Sequence, residues 1–315
     1  MLQTTSSRIK GGTLTKVASA VRENSRDGQP ALSIDKLSEY THLKHTDSLL
    51  IRDMRRSGPD TFTFAVRWPA VRGAGRYDPR ILAQTIRQTG LFLAHAEYGV
   101  PTSHQTLLNR LDFTVSPNLF DGSTELLDVE VSLTKPNGRS ASTLMMAFRI
   151  HRDGTTVATA DADFGWISPG AYRRVRGVYA TVDWGDWSLP APVAPEFVGR
   201  AAPTDVVLSP GDRPNHWQLR NDPANTLLFD HPVDHVPGLA LLEAAEQAAH
   251  AVLSPTPFET TEIQTAFERY VEFDRPCWIE AELLTEPDAD RFAVLVTGTQ
   301  GEGPAFLVKL SGRRP

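Results

Sequence analysis

Gln84-Thr-Ile-Arg-Gln88 and Glu243-Ala-Ala-Glu-Gln247 stand at matching places in two apolar, alanine-containing stretches with helical spacing. Each stretch leads through a polar connection into a β-like segment that ends in proline. The first is Leu108-Asn-Arg-Leu-Asp-Phe-Thr-Val-Ser-Pro117 and the second is Phe267-Glu-Arg-Tyr-Val-Glu-Phe-Asp-Arg-Pro276. Gln84 to Glu243, Gln88 to Gln247 and Pro117 to Pro276 are each 159 positions apart. One constant offset across helix, connection and strand end identifies two tandem copies of one unit.

Each copy reads as a strand pair, a helix, and then several strands. In the first, residues 48–55 and 61–68 are β-like, with Ser57-Gly58-Pro59-Asp60 turning between them. A helix over 78–98 follows, with Asp78 as N-cap, Pro79 at its first position and Gly99 as stop. Strands are predicted over 107–115, 124–134, 142–152 and 155–167, with turns at Pro136-Asn137-Gly138 and Arg152-Asp153-Gly154. The second copy places strands at 206–209 and 216–220, a helix at 237–253, and strands at 262–273, 277–285, 292–299 and 305–311. The predicted organisation is a flexible tail over 1–40, a first repeat over 41–187, a Pro-rich linker over 188–203 and a second repeat over 204–315. One helix followed by a run of antiparallel strands implies an α+β fold, a sheet wrapped around a central helix, and not a doubly wound one.

Composition removes several functions. The chain has 315 residues, 40% hydrophobic and 22% charged, enough for a substantial core. A net charge of −6 argues against a nucleic-acid binder, and a single cysteine, Cys277, rules out an intrachain disulfide and cysteine-rich metal sites. Cys277 reads as a small buried hydrophobe. A reducing, cytoplasmic setting is expected. No apolar run reaches the roughly 18 to 20 residues needed to span a bilayer. The basic N-terminus, with Arg8, Lys10, Lys16, Arg22 and Arg26, reads as a tail, with an organelle transit peptide as the alternative. Gly73-Ala-Gly75 lacks the third glycine of a dinucleotide fingerprint, and there is neither a P-loop lysine motif nor a nucleophile elbow.

The stretch that carries chemistry is Leu228-Phe-Asp-His-Pro-Val-Asp-His-Val-Pro-Gly-Leu-Ala-Leu-Leu-Glu-Ala-Ala-Glu-Gln247. A histidine loop enters a helix at Pro237-Gly238, and a carboxylate, Glu243, follows. Histidine titrates near neutrality and suits a base that takes a hydroxyl proton. Backbone N–H groups of Gly238 and Leu239, at the start of a helix, suit the oxyanion of an acyl-transfer intermediate. Arg72, Arg76, Arg80 and Arg87 suit a phosphate. The bland readings stay open: loop histidines bonded to backbone, Asp234 as a turn residue, Gln84, Gln88 and Gln247 bonded to the sheet, and arginines on a solvated face. Three ligands within five loop residues make a poor metal site, and no metal is expected at His231, Asp234 and His235. His95 and Glu97 read as structural. Arg173, Arg174 and Arg176 read either as solvated or as a contact for an acidic carrier protein.

The order His-loop, Pro-Gly, Glu, Gln resembles the opening of the central helix in hotdog-fold β-hydroxyacyl thioester dehydratases, with a loop about two residues shorter. The chain more closely resembles the A-factor biosynthesis hotdog family. Two segments carry the likeness: Tyr77-Asp-Pro-Arg-Ile-Leu-Ala-Gln-Thr-Ile-Arg-Gln-Thr-Gly-Leu-Phe-Leu-Ala-His-Ala-Glu-Tyr-Gly-Val-Pro101, and Phe229 to Gly238 with the helix after it. The resemblance implies a tandem double hotdog and transfer of a β-ketoacyl group from an acyl carrier protein thioester to the hydroxyl of dihydroxyacetone phosphate, on the way to a γ-butyrolactone-type signal. A coenzyme A donor stays open. No cofactor, nucleic acid or membrane is implied, and a homo-oligomer is admissible. Because sites of paired hotdogs lie between units, it implies that His231 or His235 meets Gln84, Arg87 and Gln88, while Glu243 faces Tyr77 and Asp78. His231, His235, Glu243 and Asp234 are then the catalytic candidates. Gly238, Leu239, Gln84, Arg87, Gln88, Gln247, Arg76, Arg80, Tyr77 and Asp78 are the substrate-binding ones. One departure is Gln84, where the family commonly has glutamate; it leaves Glu243 as the only carboxylate at the repeated position. The rival readings are a hotdog dehydratase or thioesterase, and a non-catalytic lipid- or lactone-binding module.

Overall fold

Strand periodicity sets the core. In Phe62, Phe64 and Val66, and again in Val129, Val131, Phe148 and Ile150, alternate side chains are buried to 1% exposure or less, while their neighbours face outward. The computed structural model describes residues 32–69, 77–120, 125–134 and 142–314. Its elements are α1 (Ile34–Thr41), β1 (Ile51–Arg56), β2 (Thr61–Arg67), α2 (Pro79–Ala96), β3 (Gln105–Val115), β4 (Leu126–Thr134), β5 (Thr143–Arg152), β6 (Thr155–Ile167), α3 (Pro169–Arg176), β7 (Leu208–Pro210), β8 (His216–Leu219), α4 (Gly238–Leu253), β9 (Glu259–Phe267), β10 (Trp278–Leu284), β11 (Arg291–Thr299) and β12 (Pro304–Arg313).

All twelve strands form one antiparallel sheet in the order β1-β2-β4-β5-β6-β3-β9-β12-β11-β10-β8-β7. The order reads the same from either edge once the repeats are matched, so the repeats are related by a two-fold at the β3–β9 seam. That seam has few ladder pairs, Phe113 with Ile263 and Thr114 with Glu262. Side chains complete it: Leu111 N donates to Thr265 Oγ1 at 2.8 Å, and Thr265 N donates to Asp112 Oδ1 at 2.9 Å. Each half wraps a buried helix, α2 or α4, which is the tandem double-hotdog architecture. The contact is close at Gly90 of α2, where a Cβ would stand 2.6 Å from the Phe164 ring.

Helix starts follow the sequence signals. Asp78 caps α2 by accepting from Arg80 N at 2.9 Å, with Pro79 next in line. Starts of α2 and α4 keep the 159-residue offset, Pro79 against Gly238. The strands do not keep it. β9 ends at Phe267, whereas a strand was expected to run to 273. The connection after α4 is shorter than the one after α2, so β3 matches β9 at a smaller offset and the Pro117–Pro276 coincidence is not structural. Residues 268–277 leave the sheet: Glu268 N and Arg269 N both donate to Ala305 O, and Arg269 Nη2 donates to Gln300 O. Two further segments differ from expectation. The predicted flexible tail ends in α1, capped by Ser33, with Leu37 and Thr41 buried. The Pro-rich 188–203 connector is packed, with Val198 fully buried and Val193 N donating to Leu208 O. The 136–138 turn, the 73–75 glycines and residues 1–31 lie outside the described residues. Cys277 is buried, and burial pushes its thiol up to about 12.

Candidate active site

The loop entering α4 is held from both repeats. At its base Phe229 packs edge-on to Trp184, with Phe273 nearby. Asp230 then accepts from the backbone N–H groups of Lys44 (2.8 Å) and His45 (3.1 Å), which belong to the first repeat. Beyond it, Val236 N donates to Val271 O at 2.9 Å. Between these anchors lie two aspartate–histidine pairs. Asp230 Oδ2 is 3.0 Å from His231 Nδ1, and Asp234 Oδ1 is 2.7 Å from His235 Nδ1. An ionised carboxylate only accepts, so each Nδ1 carries the proton and each Nε2 is left as the basic nitrogen.

Both carboxylates are stabilised as anions. Burial works against Asp230, yet the hydrogen bonds from Lys44 N, His231 and His45 N hold its carboxyl below the usual range. Burial also opposes Asp234, but His235, the Tyr172 hydroxyl and the Arg176 charge hold it below the usual range. The Tyr172 hydroxyl donates to Asp234 at 2.7 Å, and Arg176 reaches it from Nε at 3.3 Å. Arg176 in turn makes a two-pronged pair with Glu272, at 2.6 and 2.7 Å, and stacks over Tyr270. Arg176 is therefore buried in the second pair's support, contrary to its reading as a surface arginine; Arg173 and Arg174 are exposed.

His231 and His235 line a cavity of about 450 Å³ between the two repeats, together with Gln84, Arg87, Gly238 and Leu239. Gln84 and Arg87 come from α2, and Gly238 and Leu239 from the first turn of α4. Leu91, Leu107, Phe164 and Leu241 add apolar wall. The first backbone bond of α4 runs from Ala240 N to Pro237 O, so the Gly238 and Leu239 N–H groups precede the helical ladder. Gln84 is 9% exposed, and its buried Oε1 has no partner among the described residues.

A family model described as the A-factor biosynthesis hotdog domain matches residues 23–168 and 185–301. The chain belongs to the A-factor biosynthesis hotdog family. It is 38% identical over 286 residues to a 2-oxo-3-(phosphooxy)propyl 3-oxoalkanoate synthase of Streptomyces virginiae, covering 87% of this chain and 96% of the relative. A protein of the same name from Streptomyces coelicolor is 40% identical over 243 residues, covering 75% and 76%. An oleoyl thioesterase structure from Lactobacillus plantarum matches with a TM-score of 0.51 at 13% identity, over 82% of this chain and 98% of that one; the likeness is one of fold.

In this member of the A-factor biosynthesis hotdog family, several expected site residues do other work. Gln88 Oε1 accepts from Leu50 N and its Nε2 donates to Ser48 O, both at 2.9 Å. Gln247 repeats the clamp on Val207 N (2.9 Å) and Asp205 O (2.7 Å). These glutamines fasten each helix to its own entering strand and do not line the cavity. Tyr77 donates to Thr260 O at 2.6 Å, and Asp78 holds Arg80 from Nη2 at 2.7 Å. Arg72 and Arg76 lie outside the described residues.

Glu243 is not brought to the cavity. It is fully buried and paired two-fold with Arg200, Nε to Oε1 at 2.6 Å and Nη2 to Oε2 at 2.8 Å. Arg80 Nε stands 3.6 Å away, and Gln247 Nε2 also donates to it. It lies toward Arg80, which Asp78 holds, as half of a buried ion pair. Arg200 comes from the connector, aimed by Gly199 in the left-handed region (φ 67°), where a Cβ would meet the His250 ring at 3.2 Å. His95 and Glu97 are structural: His95 bonds Val100 O at 2.7 Å and Glu97 pairs with Arg56. Sequence reading missed Asp230, His42, Arg200 and Tyr172. For Asp230 the signal was present, since the dipeptide Asp-His occurs twice, four residues apart. No described group of three or more His, Cys, Asp or Glu is arranged to hold a metal, and no described helix is long and apolar enough to cross a membrane.

Proposed function

We propose that this chain moves a 3-oxoacyl group from an acyl thioester to the hydroxyl of dihydroxyacetone phosphate, as an acyltransferase in the making of a γ-butyrolactone-type signal. The observation that carries the reading is the pair of Asp–His dyads facing one cavity beside the N-terminus of α4. The names borne by relatives at 38% and 40% identity support the substrates.

The chemistry follows from the donors and acceptors present. The acceptor hydroxyl gives its proton to an imidazole Nε2 while its oxygen attacks the thioester carbonyl carbon. Negative charge gathers on the carbonyl oxygen, where the Gly238 and Leu239 N–H groups and the positive end of α4 stabilise it. Collapse of the tetrahedral intermediate re-forms the carbonyl and breaks the C–S bond. The departing thiolate takes the proton from the imidazolium and leaves as a thiol, and the acyl group remains as an ester. The dyad aspartate keeps the ring oriented and steadies its charged form. Apolar walls receive the acyl chain.

A carrier-protein donor is supported by α3. Its outer face presents Arg173 and Arg174 with Val175 (66% exposed) and Val178 just beyond it (83% exposed). Its inner face presses Tyr172 and Arg176 onto Asp234. An acidic carrier seated on the outer face would sit one helix away from the dyad.

The test is intact-mass analysis of a 3-oxoacyl carrier protein incubated with the purified protein, with and without dihydroxyacetone phosphate. Loss of the acyl group only with the acceptor, together with a new phosphorylated ester, is expected. Acyl loss without the acceptor would make the protein a thioesterase, and an intact donor in both tubes would remove the transferase reading.

A further inference from the structure

The cavity has two chemically different ends, one on each dyad. At the α4 end His235 sits three residues before Gly238 and is backed by Asp234, Tyr172, Arg176 and Tyr270. At the α2 end the wall carries the Arg87 guanidinium flanked by two imidazoles, His42 and His231.

Arg87 is the decisive residue. Among the described residues no carboxylate lies within ion-pair distance of it, and its one hydrogen bond is a long one from Nη1 to Thr41 O, 3.3 Å. Burial pulls its pKa below the usual arginine value, opposed by the charge of Asp230. A half-buried guanidinium with most of its donors unused is completed most favourably by an anion. The other arginine on the wall, Arg269, commits its Nε and Nη2 to carbonyl groups.

His42 adds an adaptable donor. It ends α1 in the left-handed region (φ 56°), and its Nε2 is 2.8 Å from His95 Nε2. His95 Nδ1 must donate to Val100 O, so His95 Nε2 accepts and His42 donates from Nε2. His42 Nδ1 is then its open nitrogen. Burial first, then the charges of His95, Arg87 and His231, push His42 down to about 4. Facing His42 are Arg87 and His95 on α2 and His231 on the loop; beyond them Glu39, Tyr40 and His104 face His95, and Asp230 faces Arg87. The Asp230 oxygens are turned to Lys44 N, His45 N and His231 Nδ1. His231 Nε2 is left facing away from its aspartate.

We infer that Arg87, His42 and His231 form a binding subsite for a phosphate monoester at the α2 end of the cavity, which leaves the Asp234–His235 dyad beside α4 to move the proton. A phosphate dianion completes Arg87 and reverses the sign of the field at His42, so His42 takes up a proton from solvent and donates from Nδ1. The identity of the monoester as the acceptor's phosphate rests on the transferase reading; the anion subsite itself does not.

The test is titration calorimetry of the whole chain at pH 7 with inorganic phosphate, dihydroxyacetone phosphate and coenzyme A, in two buffers of different protonation enthalpy. Phosphate and dihydroxyacetone phosphate are expected to bind with net proton uptake. Arg87→Met should weaken both by about 10- to 100-fold, the range for a lost charge-assisted bond, with Arg87→Lys recovering part. His42→Asn, chosen because asparagine tolerates the left-handed region, should weaken binding and abolish the uptake. His235→Asn should leave phosphate affinity unchanged while lowering turnover, and the Arg87 and His42 variants should raise the acceptor KM far more than they lower kcat. Melting curves of each variant establish that it is folded. Phosphate affinity unchanged in folded Arg87→Met and His42→Asn, or no phosphate binding by a wild-type protein that does transfer acyl groups, overturns the subsite. Coenzyme A competing with inorganic phosphate while dihydroxyacetone phosphate does not would assign the anion to the donor, against the acceptor. Phosphate binding without any acyl transfer would leave the subsite standing and remove the transferase reading.

Discussion

Arg200→Met tests whether Glu243 is structural. In the folded chain Glu243 has no exposure and meets Arg200 at 2.6 and 2.8 Å, with Arg80 more distant at 3.6 Å. Removing the Arg200 guanidinium leaves a buried carboxylate with the Gln247 amide and the distant Arg80. Breaking one partner of a buried pair costs about 3–5 kcal/mol, and the remaining Arg80 charge puts the expectation at the lower end, about 3 kcal/mol. Glu243→Gln should cost a comparable amount, because it strands Arg200. The double variant Arg200→Met, Glu243→Gln removes both charges and should lose only about 1 kcal/mol, a strongly favourable coupling in the cycle. Urea denaturation at pH 7, followed by circular dichroism, reads all four proteins. In thermal melts each kcal/mol should appear as roughly 2–4 °C. Turnover per folded molecule of the double variant, measured below its midpoint, should stay near wild type. A catalytic Glu243 predicts the opposite: Glu243→Gln would abolish turnover while its midpoint barely moved. That pair of results would refute the structural assignment.

Asp234→Asn should lower kcat by about 10²- to 10⁴-fold by letting His235 adopt the wrong tautomer, with thioester binding unchanged; steady-state kinetics checks it. Stability should fall as the pH drops below about 6.5, because His42, held down to about 4 by burial, refuses the proton that the unfolded chain accepts. Between pH 6.5 and 5 that amounts to about 2 kcal/mol at most, and His42→Asn should flatten this part of a urea-midpoint profile. Reversing both charges with Arg173→Glu and Arg174→Glu should lower kcat/KM for a carrier-protein donor by tenfold or more at low salt and leave a small-molecule thioester donor unaffected.

The parts of the fold that local chemistry decides were readable. Asp78-Pro79 starts α2, and both Asp153 (φ 49°) and Gly154 (φ 77°) take the positive φ that a tight hairpin turn needs. The end of β9 was not readable, because Glu268-Arg269-Tyr270-Val271-Glu272-Phe273 alternates as a strand does. What bends it away is tertiary: Glu272 is claimed by Arg176, 96 residues earlier in the chain, and Tyr270 by the cavity wall. The same limit explains Glu243. Its burial on an apolar helix was evident from the pattern, but its partner Arg200 sat in a stretch whose prolines read as a tether. Charge on a buried helix face therefore pointed to function, where a remote arginine had already neutralised it.

The two-fold of the repeats makes the asymmetry of the site informative. Position 84 on α2 and position 243 on α4 are equivalent, yet one faces a cavity and the other an ion pair. At 243 a carboxylate is tolerable because the connector inserts Arg200 beside it. At 84 no arginine is inserted; the loop of the other repeat arrives with its two Asp–His pairs, and the helix carries a neutral glutamine. A glutamate there would lie one helical turn from Arg87, at the spacing where opposite charges pair, and would compete for the guanidinium. Glutamine keeps hydrogen-bonding capacity at the cavity wall without consuming the Arg87 charge. The two repeats present two helix N-termini of the same kind; the connector closes one with an ion pair, and the loop brings its Asp–His pairs to the other. On this reading glutamine at 84 does not weaken the site but leaves its cationic end open to an anionic substrate.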